Sequence, residues 1–381
     1  MKKLLYISFC DFDNRETEGV SKKIINQAGA FESASYEVEV IGFREENIIV
    51  LNHNSETVIG HNKSYIHKRL MYMRVIKNYI KNNYFNAVYI RYPLSDFLFL
   101  KLLKTMKRTG NMKIIIEIPT YPYKGEARTI LEKILYMMDV ICRNKLKKYV
   151  DRIVTYSKDE VIYGIQALKT MNGIEFDSIC MKNKMWTYSK VINIIAIAYM
   201  CLWHGYDRFI EGLNEYYKGD TEYKIILHLV GEGEEIPKYK KMAEKYSLKE
   251  NIIFHGYKSG KELDDLYDNC DIAIECLGTH RKKLFLSSSL KSRQYGAKGI
   301  PIITSCEIDA FPTGQCDFVL KVAEDESHIN IQEVINFYNN LTIKYMDNKS
   351  LTAAIRKYAM EKCDMPVVIK PIIEFYENGT Y

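Results

Sequence analysis

The chain is 381 residues long, with 47% apolar and 27% charged residues and a formal net charge of +6. That length exceeds one ordinary hydrophobic core and fits two domains, and the composition is that of a soluble globular protein rather than a disordered one. The modest positive charge permits phosphorylated ligands or an anionic membrane surface, but no recognition motif accompanies it, so nucleic acid is not expected.

The N-terminus, MKKLLYISFCDFDN, begins like a signal peptide. Its apolar run is short and meets Asp11 and Asp13 with no small-residue cleavage site, which predicts a first buried strand. Near-continuous apolar runs predict further strands at 36–43, 87–92, 113–118 and 152–156, as expected of parallel strands covered on both faces. Helical patterns lie between them at 20–31, 68–82, 96–108, 127–148 and 158–167. The same rhythm restarts with strands at 191–198, 223–230, 251–255, 271–276, 300–304 and 318–322. Helices are expected at 206–217, 237–246, 261–270, 290–298 and 329–340.

This alternation predicts an α/β chain of two Rossmann-like, doubly wound parallel-sheet domains. The polar stretch 177–189 marks the boundary, giving domains 1–186 and 187–365 and a final helix, 366–381, that crosses back to the first domain. Ligands of such sheets gather at the C-terminal ends of the strands, which places the expected site in a cleft between the two domains. The run at 191–203 is broken by Asn193 and falls short of the ~20 residues needed to cross a bilayer. Nine scattered cysteines without metal-ligand spacing fit a reduced, cytoplasmic protein.

Asp11-Phe12-Asp13 matches a metal-binding pattern only by two residues, and no metal is expected there. Gly19 opens the first helix, where backbone amides can face an anion, although an ordinary strand-to-helix turn reads equally well. Lys68, Arg69, Arg74, Lys77 and Lys81, with Lys101, Lys104, Lys107 and Arg108, form either a basic patch for anionic headgroups or solvated helix faces. Arg91 ends a strand, as does Glu117 in the run EIPTYPY. Thr120, Tyr121 and Tyr123 follow, and this segment is either a rigid turn or a wall for a sugar acceptor. Trp203-His204-Gly205-Tyr206 and Gly231-Glu232-Gly233 are glycine turns at the ends of the first two strands of the second domain.

The segment 277–304, LGTHRKKLFLSSSLKSRQYGAKGIPIIT, combines a basic loop with a serine-capped helix start. Arg281, Lys282, Lys283, Lys291 and Arg293 beside Ser288, Ser289 and Leu290 describe an anion site, because a helix N-terminus offers unpaired N–H groups and partial positive charge.

Together with GYDRFIEGL at 205–213, VGEGEE at 230–235 and the Asn-Gly turn at 172–173, this segment resembles bacterial retaining glycosyltransferases of family four, of the capsular and exopolysaccharide type. The resemblance spans nearly the whole chain and is strongest at 194–305. It implies the GT-B fold, a nucleotide-sugar donor held by the second domain and a glycan or lipid-linked acceptor held by the first. It also implies no metal or other cofactor, and a location in the cytoplasm or peripheral on the inner membrane face. Arg281, Lys291 and Glu117 are the expected catalytic residues. Gly19, His204, Glu232, Lys282, Ser288, Ser289, Leu290 and Gln294 are expected to bind donor, and Arg91, Thr120, Tyr121 and Tyr123 the acceptor. Leu286 and Gln294 stand where the family carries a Glu-x7-Glu pair, and His204 where it carries a lysine. Those departures keep open a catalytically degenerate partner of an active transferase; the other alternative is a GT-B-fold sugar-nucleotide epimerase, for which no convincing set of acid/base carboxylates stands in the sequence.

Overall fold

The computed structural model describes residues 1–14, 17–53, 55–61, 68–127, 129–183 and 190–379, and the chain divides into two units, 1–171 with 365–381, and 172–364. The first unit is built on β1 (Lys2–Asp11), whose apolar run is buried on both faces. After it come α1 (Glu18–Ser33), β2 (Tyr36–Arg44), β3 (Asn47–Asn52), β4 (Ser55–His61) and α2 (Lys68–Asn82). The alternation continues through β5 (Ala87–Arg91), α3 (Phe97–Thr109), β6 (Lys113–Ile118), α4 (Ile130–Cys142), β7 (Arg152–Thr155), β8 (Val161–Ile162) and β9 (Ile165–Lys169). The sheet order is β4-β3-β2-β1-β5-β6-β7-β9-β8.

The central strands β2 to β9 of that order are parallel, but the edges are not. Residues 47–61, assigned no element by their sequence pattern, form an antiparallel hairpin on β2. The helix expected at 158–167 is instead the β8–β9 hairpin. Its turn residues Tyr163 and Gly164 have φ of 55° and 76°, and two successive left-handed residues suit a tight two-residue hairpin, not a helix. The helix expected at 127–148 is shorter: α4 starts with a capping box between Thr129 and Glu132 and gives way at Arg143–Lys148 to a 3-10 turn.

The second unit contains β10 (Val191–Ile197), α5 (Tyr206–Tyr216), β11 (Lys224–Val230), α6 (Ile236–Lys245), β12 (Ile252–Gly256), α7 (Gly260–Asn269) and β13 (Ile272–Ile274). It continues with β14 (Leu286–Ser287), α8 (Leu290–Lys298), β15 (Ile302–Thr304), β16 (Glu307–Ile308), β17 (Val319–Lys321), α9 (Ile331–Tyr345) and α10 (Asn348–Cys363). The main sheet is wholly parallel, in the order β12-β11-β10-β13-β15-β17.

The first unit ends at Met171, earlier than the expected 186. Hydrogen bonds explain the difference. Ile174 N–H donates to Cys363 O at 3.1 Å, Lys182 N–H to Lys298 O at 3.0 Å, and the Arg356 guanidinium to Phe176 O and Ile179 O, both at 2.7 Å. Residues 184–189 of the expected boundary lie outside the described residues. The last helix, α11 (Met365–Asn378), packs in the first unit, where Tyr376 donates to Val88 O at 2.9 Å.

Candidate functional site

In the second unit the chain leaves β10 toward β11 and β12 on one side and later returns to place β13 on the other. This reversal of strand order opens a crevice at the C-terminal ends of β10 and β13, the usual ligand position in such sheets. The loops after these strands are locked backbone to backbone. Gly205 has φ of +65°, and a Cβ there would lie 2.5 Å from Gly278 N. Leu277 N–H donates to His204 O at 2.8 Å across the same contact. A second close approach pins the next loop: a Cβ on Gly231 would fall 2.0 Å from Ala198 O.

His204, Lys282 and Lys291 converge here. His204 is buried, and its Nδ1 accepts the Cys201 N–H at 3.0 Å, which leaves the proton on Nε2 of the neutral ring. Burial first, and the Lys291 charge second, push His204 down to about 2, so the ring stays neutral. Its Nε2 has no hydrogen-bond partner among the described residues. The Lys291 ammonium donates to Glu275 O at 2.9 Å and contacts Cys276 Sγ at 3.3 Å. Burial opposes its charge, but the Cys276 sulfur and the Glu275 carboxylate outweigh it and raise its pKa. Lys282 lies with Nζ 3.1 Å from the Trp203 ring centre, a cation–π contact.

Helix α8 starts at this crevice. Ser289 caps it by accepting the Ser292 N–H at 3.2 Å, so Leu290 is the first helical residue and its amide is among those without an intrahelical partner. Ser288 is used internally: its Oγ accepts Asn172 N–H at 3.0 Å and Arg293 Nη2 at 3.1 Å. Arg293, fully buried, also grips Asn172 O at 2.9 Å and pairs with Asp309, so it clamps the 172 turn to α8. Gln294 is half-buried, with no side-chain partner among the described residues, and Glu232 is exposed in its glycine turn.

Arg281 does not stand as the free cation the sequence suggests. Its five N–H donors meet five acceptors: two on Asp207, two on Glu326 and Leu202 O. A guanidinium has only five donors, so Arg281 reaches an anion only by breaking these bonds. Glu275, by contrast, escaped notice in the sequence. It is a fully buried carboxylate at the end of an apolar strand, accepting from Ser287 Oγ at 3.2 Å. A charged residue in that position was its only signal.

The first unit has its own buried centre. Glu117 is wholly buried and bonded by Lys23, Tyr156 and Tyr6, with Arg91 Nη1 at 3.5 Å. Burial pushes its pKa up, yet Lys23 and then Arg91 outweigh this and hold it at about 2. Its carboxylate is therefore occupied by protein groups rather than facing an acceptor. Lys23, on α1, had no sequence signal because only folding brings it to β6.

Tyr123 is also internal. It donates to the buried Asp139 at 2.6 Å and accepts from Tyr163 at 2.7 Å. Tyr121 remains half-exposed, its ring centre 6.4 Å from that of Tyr123, and Thr120 is half-exposed. Gly19 is exposed in the first turn of α1. Asp13 pairs with Arg44, and no group of three or more candidate metal ligands occurs among the described residues.

Residues 189–277 match the sequence pattern of the family described as Glycosyl transferases group 1. No curated protein matches the chain. Among solved structures, a glycosyltransferase from Rickettsia africae is similar with a TM-score of 0.64 at 14% identity, covering 99% of this chain and 98% of that one. Sucrose-phosphate synthase from Thermosynechococcus elongatus aligns with a TM-score of 0.65 at 11% identity, over 99% and 98%. Anabaena HepE, solved with UDP-glucose, aligns with a TM-score of 0.63 at 11% identity, over 99% and 100%. The chain therefore has the GT-B type of fold, with two Rossmann-like units, and the segment of the second that spans residues 189–277 is similar to glycosyl transferases group 1.

Proposed function

We propose that the protein is a metal-independent, retaining glycosyltransferase that moves a sugar from a nucleotide-sugar donor to a lipid-linked glycan acceptor in surface polysaccharide synthesis. One observation carries this reading: the neutral His204 and the cationic Lys291 sit beside the start of α8 at the β10–β13 crevice. In the reaction, the bond between the anomeric carbon and the β-phosphate oxygen breaks and the acceptor oxygen bonds to the same face. The acceptor proton passes to the departing diphosphate. Lys291, the His204 Nε2–H and the first amides of α8 offset the charge that grows on that leaving group.

HepE and the pneumococcal O-GlcNAc transferase GtfA, which share the fold, were solved with UDP, so UDP-sugars head the donor panel. Thermal shift and donor hydrolysis with UDP-, GDP- and dTDP-sugars test the reading, and no shift and no turnover with any donor overturns it. Lys291→Met is expected to weaken donor binding about tenfold, the worth of one charge-assisted hydrogen bond. The full engagement of Arg281, with Leu286 and Gln294 in place of acids, supports a second reading, a degenerate partner of an active transferase. Gln294→Glu separates the two, because a gain of turnover marks a weakened enzyme.

A further inference from the structure

Glu275, at the end of β13, has no part in the reaction proposed above, yet it is 0% exposed. Its carboxylate meets two side-chain donors among the described residues: Ser287 Oγ at 3.2 Å and the weak Cys306 thiol at 3.9 Å. A carboxylate offers about four acceptor positions, so it is under-bonded for a group with no access to water. An acid buried in this way calls for a counterion.

Lys291 supplies it. Its ammonium reaches β13 from α8, donating to the Glu275 main-chain oxygen at 2.9 Å and contacting Cys276 Sγ at 3.3 Å. The Tyr206 hydroxyl, from α5, donates to the same oxygen at 3.1 Å. The Glu275 carboxylate in turn holds Ser287, in the β14 segment that leads to the Ser289 cap of α8. Glu275 therefore ties the start of α8 to β13 twice, by its carbonyl to Lys291 and by its carboxylate to Ser287.

The other titratable groups around Lys291 carry no negative charge at neutral pH. Burial pushes up the Cys276 thiol and the Tyr206 and Tyr295 hydroxyls, and takes the Cys306 thiol up to about 12. His204 is neutral, held at about 2, and Lys282 is a second cation beside it. Burial is the largest influence on Lys291 and lowers its pKa, while Cys276 and Glu275 raise it. With the Cys276 thiol neutral, the Glu275 carboxylate is the anion that supports the ammonium.

We propose that Glu275 is a positioning residue of the donor crevice, the fixed counterion that keeps the Lys291 ammonium charged and in place before a diphosphate arrives. A lysine in so dry a site otherwise sheds its proton, and with it the charge that offsets a departing diphosphate. The use of this pair in donor binding rests on the transferase reading; the pair itself does not.

The test follows melting temperature and nucleotide affinity of the full chain from pH 7 to 10. Glu275→Gln keeps the shape and the Ser287 contact but leaves Lys291 buried without its anion, so the Lys291 pKa is expected to fall below the ordinary 10.5. The folded variant then refuses protons that its unfolded chain binds, a penalty present below the lowered pKa and gone as pH rises toward 10.5. The melting deficit of Glu275→Gln against the parent should therefore narrow as pH rises. In a Lys291→Met background the same comparison should not narrow. Affinity for UDP, GDP or dTDP, taken relative to the parent, should fall about tenfold over the range as the ammonium is lost. A deficit constant with pH, or one that narrows equally without Lys291, marks a merely structural role and overturns the proposal. If Glu275→Gln fails to fold, Glu275→Gln/Lys291→Met, which removes both charges, is expected to recover folding, and no recovery overturns the proposal as well. A parent that binds none of the three nucleotides while the narrowing holds sinks the donor reading and leaves the ion pair standing.

Discussion

Arg281 and Asp207 meet in a two-pronged ion pair, Nη1 to Oδ1 and Nη2 to Oδ2, each at 3.1 Å. Lys238 Nζ shares Asp207 Oδ2 at 2.6 Å, and these cations hold the Asp207 pKa below its ordinary value although burial pushes it up. The pair ties the loop after β13 to the start of α5. Arg281→Ala is therefore expected to cost about 1–3 kcal/mol of stability through the partners it leaves. Under the donor reading it leaves donor affinity within about threefold, a change below the worth of one hydrogen bond. Melting temperature and donor titration check both halves. A variant as stable as the parent but about a hundredfold weaker in donor binding, a loss of direct charge-assisted contacts, restores Arg281 as a ligand.

Gly205 sets the crevice geometry through its left-handed φ of +65° and its backbone contact with Gly278. Gly205→Ala adds a strained conformation and a Cβ 2.5 Å from Gly278 N, with no flexible side chain to yield. The expected loss exceeds about 1 kcal/mol. Gly219→Ala is the control, since nothing lies within 4 Å of its Cβ. Equal melting temperatures for the two variants would show that the loop contact is not maintained.

The central strands were readable because burial on both faces demands continuous apolar runs, and α2 matches its expected bounds, 68–82, because its apolar spacing is regular. What stayed hidden depends on partners distant in the chain. The Tyr163–Gly164 turn needed a rare pair of backbone conformations that helical periodicity does not reveal. Arg281 displays its charge in the sequence but not its acceptors, 74 and 45 residues away. Lys23 and Glu117 are 94 residues apart, and only the order β1-β5-β6 brings α1 over the end of β6. In α4 an apolar helix reads as core, yet its one buried acid, Asp139, turns that face outward.

The histidines predict an acid-sensitive second unit. His204 is held at about 2 and His228 at about 4, both below the ordinary 6.5, with burial as the first cause in each. The unfolded chain then binds protons that the folded chain refuses, so this stability is complete above pH 6.5 and is lost as pH falls below it. His204 alone contributes a slope of roughly 1.4 kcal/mol per pH unit in that window. Melting followed from neutral pH downward should show the decline, flattened in His204→Asn, whose amide oxygen still accepts the Cys201 N–H. An identical slope in parent and variant would show that His204 titrates normally.

Glu117 and Lys23 make the opposite case, a buried pair whose members are each harmful alone. Both side chains are almost wholly buried, and Arg91 and Tyr156 complete the carboxylate's shell. Removing Lys23 leaves a desolvated carboxylate with Arg91 as its remaining cation. Lys23→Met is thus expected to destabilise by about 3–5 kcal/mol, as breaking a buried pair does. Glu117→Gln keeps shape and hydrogen bonding but strands the ammonium, and should cost a similar amount. The double variant removes both charges and should recover much of the loss, giving a coupling of at least about 1 kcal/mol in a double-mutant cycle. The pH signature follows from the Glu117 pKa of about 2 against an ordinary 4.5. Its contribution is present above pH 4.5 and is lost as pH falls toward 2, a window that opens two pH units below the onset at 6.5 for the histidines and overlaps the acid end of the His204 one. Additive single losses, or a carboxylate titrating near 4.5 by NMR, would show that the ion pair is not the centre of the first unit.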